Sequence, residues 1–364
     1  MTHLFTPYTL GDVTLRNRIA VSPMCQYMAE DGMVNDWHHV HLGTLARGGA
    51  GLVVVEAAAV SPEGRITPAD VGIWRDDQAE ALAPIARAIT EAGSVPGIQI
   101  AHAGRKASAN RPWEGDDHLP ESDPRAWPTI APSAVAFGDN LPRQPREMTI
   151  ADIERVRQDF VSATIRARDA GFKWLMLHFA HGYLAQSFFS PFANQRTDAY
   201  GGSAENRARF LVETLRAVRA VWPENLPLSI RLGVVEFAGD DEAMFAEALA
   251  MLRVMKQEGL GFVDVSIGFN TPTAQIPWGP GFLGAIAGQV RRETGLPTAT
   301  SWNAASAPQL ADAMVRQDEV DLVMVGRPLL ADPHWPYAAA KALGRQDAAW
   351  VLPPPYAHWL ARYR

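Results

Sequence analysis

One cysteine, Cys25, stands in 364 residues. That excludes an intrachain disulfide, and with it cysteine-held iron–sulfur clusters and cysteine-rich metal sites. Lysine is nearly as scarce. There are four, at 106, 173, 256 and 341, and none lies in an apolar run that reads as a strand. A Schiff-base aldolase needs such a lysine, so that chemistry falls away. No apolar run approaches a membrane span, and the opening MTHLFTPYTLGDVTLRNR has no apolar signal-peptide core. A cytoplasmic address is expected. The net charge is −7 with acids and bases interleaved. No basic stripe is left for nucleic acid, and no basic amphipathic helix for a membrane face. No G-x-G-x-x-G directly follows an apolar run, so a Rossmann fingerprint is missing as well.

What is present is alternation. Eight short apolar runs recur: IAVSPM (19–24), LVVVEAAAV (52–60), VPGIQIAHA (95–103), WLMLHFA (174–180), LSIRLGV (228–234), FVDVSIG (262–268), TATSW (298–302) and LVMVG (322–326). Continuous apolar strands separated by amphipathic stretches, as at 76–92, 152–170, 204–221, 241–258 and 307–317, indicate a parallel sheet covered by helices. Eight strand–helix units predict an α/β fold of the (β/α)8 TIM-barrel type, a single domain over 1–364. Before strand one, YTLGDVTLRN reads as a hairpin with a Gly-Asp turn, placed to plug the barrel floor. Two long excursions follow strands three and four. Residues 104–148, with seven prolines, form a capping segment, and 183–203 run from YLAQSFFS to GGS.

In such a barrel the C-terminal strand tips converge on one face. Strand one brings Met24, Cys25 and Tyr27 there, strand two Glu56 and Ala57, strand three Gln99 and His102. Strand four brings His178, His181 and Tyr183, strand five Arg231, strand seven Trp302 and strand eight Gly326 with Arg327. An arginine inside LSIRLGV demands an anionic or strongly polar partner. At strand eight, Gly326, Arg327 and the proline after them suit a phosphate at a helix start; a plain glycine turn with a solvent-facing arginine is the alternative. His178 and His181 lack the third protein ligand that a catalytic zinc needs, and neither H-E-x-x-H nor an H-x-H ending strand one occurs, so no metal is expected. Core packing explains one histidine more easily than two. Two imidazole donors with Tyr183 beyond them suit a carbonyl substrate, the histidines on the oxygen and the tyrosine as general acid.

The block HFAHGYLAQSFFSPFANQRTDAYGGSAENRARF closely resembles the signature of the old yellow enzyme family, FMN-dependent ene-reductases on a (β/α)8 barrel. LFTPYTLGDVTLRNRIAVSPMCQY, EAAAV, GIQIAHAGR and VGRPLLADP resemble the family's other landmarks, so the resemblance spans essentially the whole chain. PMCQY resembles the bacterial branch that includes xenobiotic reductases. The resemblance implies one non-covalent FMN, reduced by NADPH or NADH. It implies that Pro23, Met24, Cys25 and Ala57 line the isoalloxazine, Gln99 bonds its pyrimidine edge and Arg231 sits near N1. Gly326 and Arg327 then take the phosphate, with Trp302 counted in both the cofactor and the substrate pocket. His178 and His181 grip an enone or nitro substrate, Tyr183 gives the proton, and Tyr27, Trp302 and Trp359 shape the pocket. A homodimer or larger symmetric homo-oligomer is implied, with the 345–364 tail at the interface. One departure stands out. The loop after strand seven, TSWNAASAP, lacks the family's glycine, and Asn303 is the residue best able to replace its left-handed conformation.

Overall fold

All eight runs form strands in the computed structural model, which describes residues 3–363. The strands are Ile19–Val21, Leu52–Ala59, Val95–Ala101, Trp174–Phe179, Leu228–Val235, Phe262–Ile267, Thr298–Thr300 and Leu322–Val325, numbered one to eight below. They pair in chain order, all parallel, into a closed barrel. Helices cover the outside, including Asp36–Arg47, Asp76–Glu91, Ile150–Asp169, Ala204–Arg219, Asp241–Gln257, Gly284–Thr294 and Pro308–Arg316. Their ends follow local chemistry. Thr149 and Asp152 cap the helix at 150 reciprocally, and Gly93, with φ +80°, turns the chain out of the helix that ends at Glu91.

The period of two along each strand explains what lies inside. Ala20, Leu52, Val54, Trp174, Met176, Phe262, Ala299, Leu322 and Met324 form one buried cluster in the barrel's lower interior, while alternate residues such as Val21, Val53, Leu175 and Ile230 join the larger core under the helices. The expected hairpin is there, Tyr8–Leu10 with Val13–Leu15, turning at Gly11 (φ +55°). Val13 and Leu15 belong to the lower cluster and close the barrel floor. Each such side chain contributes about 1.5–3 kcal/mol on burial.

Continuing the same parity toward the strand C-termini, the inward positions turn polar. His178 follows Trp174 and Met176, Arg231 pairs with His178 across strands four and five, and Asp264 pairs with Arg231 across strands five and six. The floor is therefore dry and the mouth chemical, on one and the same set of strands.

The 104–148 excursion meets the strand tips where its Trp113 packs edge-on against Tyr27. It holds a small parallel pair, Ile130–Ala131 with Arg146–Glu147. Buried Arg105 braces it internally by donating to the carbonyls of Val135 (3.2 Å) and Ala136 (3.1 Å), and ties it to the loop after strand six by donating to that of Asn270 (2.5 Å). A third long connection, 268–283 after strand six, joins the rim and was not legible in the sequence. Among the described residues no helix is long and apolar enough to cross a membrane.

Candidate active site

Strand four ends in a turn that the chain can make in few ways. His181 and Gly182 both have left-handed backbone, φ +63° and +68°. A Cβ at Gly182 would stand 2.3 Å from the Phe269 carbonyl oxygen, so only glycine fits. The His181 amide donates to the Ile267 carbonyl (3.3 Å), and Lys106 Nζ donates to the His181 carbonyl (2.9 Å) and to that of Phe269 (2.8 Å).

This turn brings the sequence trio together. The rings of His178 and His181, and of His178 and Tyr183, meet edge-on at 4.9 Å; His181 and Tyr183 are 6.4 Å apart. Trp302 and Phe269 each approach His181 at 5.7 Å. His181 Nε2 lies 2.8 Å from Ser266 Oγ, which also accepts the Trp302 Nε1–H at 3.0 Å. His178 Nδ1 is buried without a hydrogen-bond partner among the described residues.

Burial, helped by Arg231 and Lys106, presses the His178 imidazole well below its usual range; burial and the neighbouring His178 do the same for His181. Both rings are neutral at physiological pH. Burial also pushes the Tyr183 phenol well above its usual range, with Cys25, Asp70 and Asp116 adding to the effect, so it keeps its proton. Lys106 is brought down to about 7, by burial first and then by Arg105 beside it.

Below the trio, Arg231 Nε donates to Asp264 at 2.5 Å and Nη2 to Ser22 Oγ at 2.9 Å. Nη1 has no protein partner among the described residues where Arg231 lines a cleft of about 480 Å³. That cleft unites Pro23, Met24, His181, Arg231, Trp302, Gly326 and Arg327 from the sequence expectations. Asn303 of the glycine-free loop lines it too, and it adds Ser22, Ser301, Ser306 and Met324, which sequence reasoning had not singled out. A larger concavity, about 570 Å³, lies on the outer helices 204–219 and 241–257 and shares no residue with the strand tips.

The remaining predicted residues ring the cleft at different distances. Ala57 lies within the register shift of strand two and, with Tyr183, lines a small separate void. Gln99 points inward, its Nε2 3.3 Å from Met176 Sδ. Cys25 is half-buried beside Tyr27, its thiol pushed well up by burial and by Asp70 and Glu56. Tyr27 (φ +54°) stacks edge-on against Trp113, an exposed residue of the capping segment. Trp359 is not brought to the cleft. It sits on the Pro354–Leu360 helix, 69% exposed, against His358. Lys106, Ser266, Phe269 and Trp113 gave no sequence signal, because each gains meaning only from a neighbour on another strand or loop.

Residues 3–346 match the sequence profile of the NADH:flavin oxidoreductase / NADH oxidase family. The chain belongs to this family. The NADPH dehydrogenase of Geobacillus sp. (strain WCH70) is 42% identical over 352 residues, covering 96% of this chain and 97% of that one. That of Bacillus subtilis (strain 168) is 39% identical over 348 residues, covering 95% and 96%. Among solved structures, morphinone reductase superposes with a TM-score of 0.77 at 27% identity, covering 94% of this chain and 90% of its own. Old Yellow Enzyme from Pichia sp. AKU4542 superposes with a TM-score of 0.76 at 25% identity, covering 94% and 87%. This member of the old yellow enzyme family is thus an NAD(P)H-dependent flavin oxidoreductase with FMN as its cofactor.

The residues present fit that cofactor. The unengaged Nη1 of Arg231 offers a cation to an anionic ring edge. A Cβ at Gly326 would meet nothing nearer than Met24 Sδ at 3.4 Å, so the protein's own packing does not demand glycine there. Its bare backbone, at the start of the Arg327–Ala331 turn of helix and beside the Arg327 guanidinium, opens on the cleft and suits a phosphate. Asn303 does adopt the left-handed conformation, φ +63°, next to Trp302 at +36°. The string GPGFLG (279–284) has dinucleotide-type glycine spacing, but it closes the long loop after strand six instead of following a strand, so it carries no fingerprint.

Proposed function

We propose that this flavin oxidoreductase reduces the activated C=C bond of α,β-unsaturated carbonyl compounds, with nitro compounds as a second substrate class. The observation that carries this reading is the neutral His178–His181 pair with a fully protonated Tyr183 at the tip of strand four, beside the Arg231 cleft. FMN supplies the hydride chemistry when bound, and the nicotinamide cofactor renews it.

The chain's own groups do the rest. His178 and His181 donate hydrogen bonds to the substrate oxygen, stabilising the negative charge that grows there as the β-carbon is reduced. Neutral rings suit this task, since an imidazolium would lose its proton to the developing enolate. Tyr183 holds its phenolic proton for the α-carbon. Trp302, Tyr27 and the capping segment 104–148 shape the pocket and exclude water. Pro23, Met24, Cys25, Ala57, Gln99, Arg231, Gly326 and Arg327 hold the cofactor, all within one barrel domain. On this reading the 345–364 tail, whose Trp350, Tyr356, Trp359 and Tyr363 are exposed on this chain, belongs to a homo-oligomer interface.

Tyr183→Phe is the test. Rapid mixing should show flavin reduction by NADPH at near the wild-type rate and reduction of cyclohexenone slowed by about 10²-fold or more. The reverse pattern removes Tyr183 from the acid role.

A further inference from the structure

Ser266 sits on strand six, fully buried, where the pairing with strand five shifts register. Its hydroxyl has two neighbours among the described residues, the Trp302 indole Nε1 at 3.0 Å and the His181 Nε2 at 2.8 Å. An indole N–H only donates, so toward Trp302 the serine oxygen must accept. Its single O–H then has one acceptor within reach, His181 Nε2. With Ser266 sealed from solvent, neither water nor a ligand in the cleft can take that proton instead. A buried hydroxyl proton without an acceptor is costly, whereas this chain of donors satisfies every group along it.

The direction of the chain fixes the histidine. A neutral imidazole whose Nε2 accepts carries its proton on Nδ1. His181 Nδ1 has no protein partner among the described residues, is not sealed from solvent, and belongs to a ring that lines the cleft. The ring cannot readily turn away. Phe269, Trp302, His178 and Tyr183 bound it, and both its backbone N–H and C=O are hydrogen-bonded.

We propose that Ser266 is a positioning residue that sets the tautomer of His181: Trp302 Nε1–H donates to Ser266, Ser266 donates to His181 Nε2, and Nδ1–H is left facing the substrate oxygen. This rests on the carbonyl-binding role proposed for His181. Without the serine proton, His181 is free to protonate Nε2 and turn a lone pair toward the substrate oxygen, which repels it. The same chain makes Trp302 a pocket wall whose indole senses the state of the histidine through one shared hydroxyl.

The experiment is nitrogen-15 spectroscopy of the histidine rings in the FMN-loaded enzyme, with the His181 signals identified by their loss in His181→Asn. The wild-type enzyme should show His181 protonated at Nδ1 alone. Ser266→Ala should shift it to Nε2 or to a mixture, and should lower kcat/KM for cyclohexenone by about tenfold, one hydrogen bond's worth. Trp302→Phe removes the donor to Ser266 but keeps the hydroxyl, and should retain the Nδ1 form. A wild-type His181 protonated at Nε2 overturns the proposal, as does a Ser266→Ala enzyme whose tautomer is unchanged. If Ser266→Ala shifts the tautomer but neither form turns over an enone, the carbonyl-reduction reading fails while the Ser266 assignment is supported.

Discussion

Removing the carboxylate of Asp264 isolates the charge beneath the cleft. Asp264 is fully buried and Arg231 is 4% exposed, and their bond is 2.5 Å long. Asp264→Ala leaves a guanidinium in the barrel with Ser22 as its one remaining side-chain partner. Breaking a buried pair by removing one member costs about 3–5 kcal/mol. With about 2.1 cal/mol/K of unfolding entropy per residue, 4 kcal/mol lowers the melting temperature of a chain this long by about 5 °C. The pair itself adds little net stability: burial pushes the Asp264 carboxyl above its usual range even against the pull of Arg231. An Arg231→Met/Asp264→Leu double variant should therefore recover most of the lost stability, by thermal unfolding with and without FMN. It should also lose most of the stabilisation that added FMN gives the wild type, because the cation facing the cleft is gone. A single variant within about 1 °C of wild type, or a double variant no better than the single, refutes the reasoning.

Two further outcomes follow from the geometry. Burial raises Glu56 to about 8 while its carboxylate accepts from the Gln26 amide at 2.8 Å. A raised carboxyl favours the fold at low pH, and that stability drains away as pH rises from about 4.5 to about 8. Glu56→Gln keeps the acceptor and should flatten the melting-temperature profile across that window; an unchanged slope counts against it. The exposed aromatics Trp350, Tyr356, Trp359 and Tyr363 on the C-terminal tail predict a dimer or larger oligomer in sedimentation at micromolar protein, and a monomer alone contradicts that.

The barrel was legible because its strands are continuous apolar runs bounded by breakers, and all eight were found where expected. Strand seven is shorter than TATSW suggested, since Trp302 and Asn303 turn left-handed and leave the ladder. The helix Asp36–Arg47 escaped notice because its buried face includes His38 and only two large apolar residues, Leu42 and Leu45. Gly284–Thr294 begins on one glycine and buries another, Gly288, which blurs its period. The site was half legible. Strand parity alone predicts that His178, Arg231 and Gly326 point inward, but the loop after strand six reads as an ordinary connection until Phe269 is seen against His181. Ser266 reads as a polar interruption of FVDVSIG. Its partners come from strand four and from the loop after strand seven, and no local pattern joins them.

The most direct test of carbonyl reduction is an anaerobic titration of the NADPH-reduced enzyme with cyclohexenone, followed by visible absorbance and product analysis. Carbonyl reduction predicts that the flavin absorbance returns without oxygen, with one saturated ketone formed per flavin. A flavin that NADPH bleaches, that stays bleached with the enone and recovers only on admitting air, would contradict it.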